Sequence, residues 1–422
     1  MALIKERQSS GASGGEPPPS KNAKSRTRVA IAVSNPIQHF CPFYRALEET
    51  GQIDLRVFFL SPKGSVPFFD RQFGRTVQWQ PGLLDGFRSI FLSKTEPATK
   101  PEQANALRRL SKELREFRPT ILVTYGLATP LSRRALAWAV FHDTRIFYVS
   151  DSPGFSKKTG GRELIRKLML PPVFRQIDAF LTIGDSNHAF YRRMGVKDEA
   201  LYFCPFTVDE KPLREAAQNR DTNRRVFLEQ YALPSESFAV LFVGKLNARK
   251  RPKDLIEAML LIYECGHQNV HLFLAGDGPE RTALRSMVTP QIAPYIHFMG
   301  FVSVTDLPTL LSSVDLLVQP SEYDPHPLAI SEALYCGLPI AASAGVGSIG
   351  STDEVRPGIN GFSFDIGDIA KIAECICSLS SDAELHKRFS EASLNISTER
   401  DMKTAISGFM AAVTGTGHTG TL

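Results

Sequence analysis

The chain has 422 residues, 43% of them hydrophobic and 22% charged, with 30 glycines and 28 prolines. That balance excludes a collagen-like, coiled-coil or wholly disordered chain, and the length predicts two or three domains. Unbroken apolar runs such as 135–141 and 238–243 fall far short of the ~20 residues that a bilayer-spanning helix needs.

The net charge is +5 and unevenly placed: Lys157, Lys158, Arg162, Arg166, Lys167 and Arg175 stand against the single acid Glu163 in segment 157–175. Such a run is either a solvated helix face or a surface for anionic lipid or another polyanion. The six cysteines are scattered, with no CxxC pair and no zinc-like spacing, as expected of reduced thiols in a cytoplasmic protein. Nothing points to nucleic acid.

Residues 1–27 are rich in Ser, Gly and Pro and are expected to be a disordered tail. From Arg28 short β-branched runs alternate with helical stretches, the pattern of βαβ units and parallel sheets. Strands are predicted at 29–34, 53–60, 120–125, 145–150, 179–183 and 201–205, with helices near 40–50, 101–118, 130–142, 162–176 and 185–194. These make a first Rossmann-like domain, 28–206. The polar stretch 207–236 is expected to be a linker with one short helix. A second Rossmann-like domain, 237–395, has strands near 238–243, 270–275, 296–299, 315–319 and 338–343, and helices near 252–265, 279–288, 304–313, 327–336 and 367–380. A last helix at about 400–413 returns to the first domain and precedes a disordered tail, 414–422. The fold class is α/β, with two such domains facing an interdomain cleft, the default ligand site.

Several common sites are absent. The chain has no GxxxxGK[ST], no GxGxxG after the first strand, no HExxH and no DxD, so P-loop, NAD and simple metal chemistry lack a ligand set. The segment from Pro320 to Pro339 is more informative. It follows an apolar strand, opens a helix at Pro327 and ends it at Gly337 and Pro339. The backbone amides of His326, Pro327, Leu328 and Ala329 mark the helix start, where three N–H groups (proline has none) and the dipole favour a diphosphate. Asp324 precedes this helix and is placed to meet sugar hydroxyls. Glu332, deeper in the helix, is placed to accept from ribose. The plainer alternative is that Asp324 caps the helix and Glu332 faces solvent. Gly244, Lys245 and Lys250 follow the first strand of the second domain, where two cations can converge on phosphate.

Together these motifs resemble the donor domain of the family 4 glycosyltransferases of GT-B fold. The resemblance rests on Gly244-Lys245 with Lys250, the run Ala275-Gly276-Asp277-Gly278-Pro279, Pro320-Ser321, Asp324 eight positions before Glu332, Gly337 and Pro339, and Asn360-Gly361-Phe362. It covers about 238–365. Two positions depart from the family pattern: Lys245 stands in place of arginine and Asp324 in place of glutamate.

The resemblance implies a metal-independent, retaining hexosyltransferase-type enzyme with no cofactor and a nucleotide-diphosphate sugar as co-substrate. Lys245, Lys250 and Asp324 would be its catalytic residues, and Gly244, His326–Ala329 and Glu332 would complete the donor site. The acceptor would be a glycan or lipid-linked saccharide in polysaccharide or glycoconjugate synthesis, with His39 on the acceptor side and segment 157–175 touching an anionic membrane. A nucleotide-sugar hydrolase or epimerase of the same fold and a scaffold with a decayed donor site are the alternatives.

Overall fold

The computed structural model describes residues 26–70, 75–77, 82–151 and 169–416. Both tails fall largely outside the described residues, as does the basic segment up to residue 168.

The strands in chain order are β1 (Thr27–Val33), β2 (Ile53–Phe59), β3 (Phe68–Asp70), β4 (Arg75–Val77), β5 (Arg88–Phe91), β6 (Ile121–Tyr125), β7 (Arg145–Val149), β8 (Ala179–Thr182), β9 (Leu201–Phe203), β10 (Phe238–Val243), β11 (Val270–Ala275), β12 (Ile296–Gly300), β13 (Leu316–Gln319), β14 (Ile340–Ser343) and β15 (Gly361–Phe364). They form a seven-stranded sheet in the order β5-β2-β1-β6-β7-β8-β9, a six-stranded sheet in the order β12-β11-β10-β13-β14-β15, and the small antiparallel pair β3-β4. Every pairing in the two large sheets is parallel.

A parallel strand is covered by helices on both faces, so it needs apolar side chains on both. Val29, Ala30, Ile31 and Ala32 of β1 and Ala239, Val240, Leu241 and Phe242 of β10 are all fully buried. In each sheet the chain order reverses at one point, between β1 and β6 and between β10 and β13. Loops at the carboxyl ends of strands flanking such a reversal splay apart and leave a crevice.

Four elements named here differ from expectation. The edge strands β5 and β15 were not anticipated, because four residues with mixed exposure carry little periodicity. Residues 207–236 hold two helices, Glu210–Gln218 and Arg220–Gln230, rather than one. They pack on the second sheet through Leu213, Phe227 and Leu228, with Val208 just before them in the same cluster. The helix Ala383–Glu399 also escaped prediction, since its inward face uses serine: Ser390 Oγ donates to Gly337 O at 2.6 Å and Ser393 Oγ to Leu338 O at 2.7 Å.

The helix Met402–Thr414 lies on the first domain, where Ala405, Phe409 and Ala412 are fully buried. Phe409 packs against Phe43 and Phe147, with centroids 5.9 and 5.8 Å away. Arg145 donates to the carbonyls of Val413 and Ala412, both at 2.8 Å, placing a cation at the negative end of the helix. A Cβ on Gly408 would lie 1.8 Å from Phe203 O, so only glycine permits this approach.

Candidate functional site at the interdomain cleft

The carboxyl edge of the second sheet is assembled by loops that hydrogen-bond to one another. After β10, Leu246 N donates to Asp277 O and Glu280 N to Leu246 O, both at 3.0 Å, so the 244–250 loop is fastened to the glycine-rich loop after β11. Gly276 sits at φ +157°, and a Cβ there would lie 1.8 Å from Gly244 O, which accounts for the glycine. After β13, Asp324 N donates to Gly345 O at 2.9 Å, and Gly347 N returns a bond to Asp324 O at 2.8 Å. These contacts hold Asp324 and Lys250 as an ion pair. Their side chains are 9% and 13% exposed, so the pair is shielded from water.

The helix that follows spans Leu328–Tyr335, with Pro327 at its N-cap in extended geometry rather than inside the first turn. Asp324 does not cap it; no side chain does. Glu332 does not face open solvent either. It borders a cavity of about 170 Å³ with Gln38, His39, Asp209, Thr305 and Leu328, drawn from both domains. Burial pushes its carboxyl up to about 8. Lys245 is partly buried beside these loops.

His326 is turned inward. Its Nδ1 lies 3.1 Å from Ser348 Oγ, its Nε2 lies 3.3 Å from Ser331 Oγ and 3.6 Å from Glu354 Oε1, and Phe206 meets the ring edge-on at 5.2 Å. Ser331 Oγ also donates to Glu354. His39, from the loop after β1, approaches from the opposite domain. It packs on Phe40 and Phe206, with centroids 4.1 and 5.9 Å away. Burial, with His326 adding to it, drives its pKa down to about 3, so the ring is neutral.

The structure therefore brings Gly244, Lys250, Asp324, His326 and Glu332 to one edge, with His39 facing them. Ser331, Ser348, Glu354, Phe206 and Gln38 were missed by sequence reasoning. The small-residue run Ser343–Ser348 after β14 was the available signal for Ser348; the others have none within their own segment.

A second set of contacts joins the domains beside the cleft. Asp185, first residue of the helix Asp185–Arg193, accepts from Thr352 N at 3.1 Å, from Ser351 Oγ at 3.2 Å and from Thr352 Oγ1. Asp353 reciprocates, accepting from Asp185 N at 3.0 Å while pairing with Arg400 at 3.3 Å. Burial raises the Asp353 carboxyl, and Arg400 opposes that rise.

Among the described residues no group of three or more His, Cys, Asp or Glu side chains could hold a metal, and no helix is long and apolar enough to cross a membrane. The described cysteines are all unpaired.

Comparison with known proteins fits this geometry. The family model of glycosyl transferases group 1 matches residues 223–395. A GDP-mannose-dependent alpha-mannosyltransferase of Corynebacterium glutamicum is 28% identical over 268 residues, covering 60% of this chain and 57% of the relative. An N-acetyl-alpha-D-glucosaminyl L-malate synthase of Bacillus anthracis is 27% identical over 164 residues, covering 39% and 41%. The chain spans about half the length of the curated relatives it matches. Among solved structures, Anabaena HepE in complex with UDP superposes with a TM-score of 0.69 at 16% identity, over 92% of this chain and 99% of that one. WaaG, a glycosyltransferase of lipopolysaccharide biosynthesis, gives 0.64 at 17% identity, over 92% and 100%. Residues 223–395 thus match the glycosyl transferases group 1 model, and the chain has the two-domain GT-B fold.

Proposed function

We propose that the protein transfers a sugar from a nucleoside-diphosphate sugar to a hydroxyl acceptor, with retention of configuration. The observation that carries this reading is the Lys250–Asp324 pair, held at the sheet edge between two loops, with Glu332 in the helix that follows Asp324. The names of the relatives support a nucleotide-sugar donor: one is GDP-mannose-dependent, and HepE was solved with UDP.

In the reaction, the acceptor oxygen forms a bond to the anomeric carbon while the bond from that carbon to the diphosphate breaks. The diphosphate leaves with the electron pair, and the acceptor proton passes to it. Negative charge grows on the leaving oxygens, so groups already aimed there lower the barrier most. Lys245 and Lys250 supply fixed cations, and the start of the helix at Leu328 adds its dipole. Asp324 orients the sugar and fixes Lys250. Glu332 accepts from the ribose hydroxyls. The charge needed is present in these side chains, so the step runs without metal or cofactor, and it suits a place in polysaccharide or glycoconjugate synthesis.

Thermal unfolding in the presence of UDP-, GDP-, ADP- and dTDP-sugars tests the donor site, since a ligand of the native state raises its apparent stability. One donor should stabilise the wild type and fail with Glu332→Gln. Product analysis then separates transfer from hydrolysis: free sugar formed at the same rate with and without acceptor would replace transferase by hydrolase.

A further inference from the structure

Next to the Glu332 cavity lies a second, larger one of about 630 Å³, and the two share His39 and Leu328. Its volume is in the range of sites that enclose most of a small ligand. The walls come mainly from the first domain and are dominated by Phe40, Leu127, Leu170, Phe174, Phe190 and Phe206. Among the described residues, the charged and imidazole groups along it are Asp151, His326 and His39.

These rings are fixed in place. Phe174 packs edge-on against Phe190, with centroids 6.4 Å apart, and leans on Tyr148 at 5.5 Å. Phe40 meets Phe206 edge-on at 5.2 Å and Tyr125 at 4.6 Å. The Tyr125 hydroxyl accepts a hydrogen bond from that of Tyr44 at 3.1 Å. At the junction, His39 Nδ1 is buried with no hydrogen-bond partner among the described residues. His39 Nδ1 at the meeting point of the two cavities and Gln38 Oε1 on the Glu332 side are both unsatisfied and call for the polar end of a ligand, and the walls beyond His39 call for apolar surface. A saccharide laid along the Leu127, Leu170 and Phe174 part of the wall would bury hydroxyls against apolar carbon.

We propose that this cavity binds an acceptor that joins a hydroxyl-bearing head to an apolar body, an alkyl or aryl aglycone, with the reacting hydroxyl beside His39 and the apolar part against Leu127, Leu170 and the phenylalanines. The assignment rests on the sugar-transfer reading above and narrows its acceptor. Sugar presented at the Leu328–His39 junction then meets one hydroxyl, while the aglycone points away from the donor.

The test is calorimetric titration of the full chain with octyl β-D-glucopyranoside, kept below its micelle concentration, against methyl β-D-glucopyranoside and methyl β-D-maltoside. The octyl compound should bind at least about tenfold more tightly than either methyl glycoside, from burial of its chain. Leu127→Asn and Leu170→Asn, both at partly exposed wall positions, should each remove most of that preference. Phe174 and Phe190 are left alone because they belong to the buried core. Equal binding of the three probes overturns the proposal. Tighter binding of the maltoside overturns it in favour of a saccharide channel, and an octyl preference untouched by both leucine variants places the chain elsewhere and overturns it too. The donor reading fails separately: no nucleotide sugar would then shift thermal unfolding, whatever the glycoside titrations give.

Discussion

Lys250 and Asp324 neutralise each other from two loops 74 residues apart in the chain. Neither loop could bury its charge alone. Removing one partner leaves the other charge stranded, whereas replacing both relieves it. Lys250→Ala should therefore lose about 3–5 kcal/mol of stability, and Lys250→Met combined with Asp324→Asn should regain most of it. Both should lose sugar transfer. Urea unfolding beside a transfer assay checks this, and a Lys250→Ala variant as stable as the wild type would show that the pair is not coupled.

Glu332 gives stability a pH dependence of predictable sign. Its carboxyl titrates near 8 in the folded chain against an ordinary value of 4.5. Below pH 4.5 it is protonated in both states and has no effect. Between pH 4.5 and 8 the folded state holds a proton that the unfolded state has lost, so stability falls as pH rises. Relative to Glu332→Gln, the wild type should be equal at pH 4.5 and weaker by about 3–5 kcal/mol at pH 8. Denaturant midpoints of both proteins from pH 4 to 9 give the comparison.

His39 acts in the opposite sense. It stays neutral in the fold down to about pH 3, against an ordinary value of 6.5. As pH falls below 6.5 the unfolded chain gains a proton that the folded chain refuses, and stability is lost on the acid side. His39→Gln should remove that loss while leaving stability above pH 7 nearly unchanged. Between pH 4.5 and 6.5 the two residues oppose each other, so the wild type should be flatter there than either variant.

The contacts of Asp185 and Asp353 can be broken with one methyl group. A Cβ on Gly184 would lie 2.1 Å from Asp353 Oδ2. The backbone of Gly184 is extended, so alanine is excluded by the neighbouring carboxylate and not by its own conformation. Gly184→Ala should cost about 1–3 kcal/mol and increase the radius of gyration seen by small-angle scattering. An unchanged scattering profile would mean that these contacts do not hold the domains together.

The sheets were legible in the sequence because parallel strands are apolar on both faces: β10 and β11 were placed to the residue. The segment around Asp324 and Glu332 was legible because helix stop signals and a strand bracket it. Helices with sparse apolar anchors were not. Glu210–Gln218 presents Leu213 and Ala216 to the core amid charged neighbours, and so resembles a linker until the surface beneath it is known. The contacts of Asp185 with Thr352 span 167 residues and leave no local periodicity. His39 lies between cavities only because two domains meet there, a property of neither domain's own pattern.

The polypeptide passes between the domains twice, once entering the helix at Glu210 and once leaving through Arg400 to Met402. The passages are fastened side by side: Glu210 Oε1 accepts from Met402 N, and Thr207 Oγ1 lies 3.6 Å from Met402 Sδ. Two adjacent connections behave like a door on two pins. They allow bending about the line that joins them and resist rotation about any other, so any opening of the cleft that His39 and Leu328 line is confined to one path.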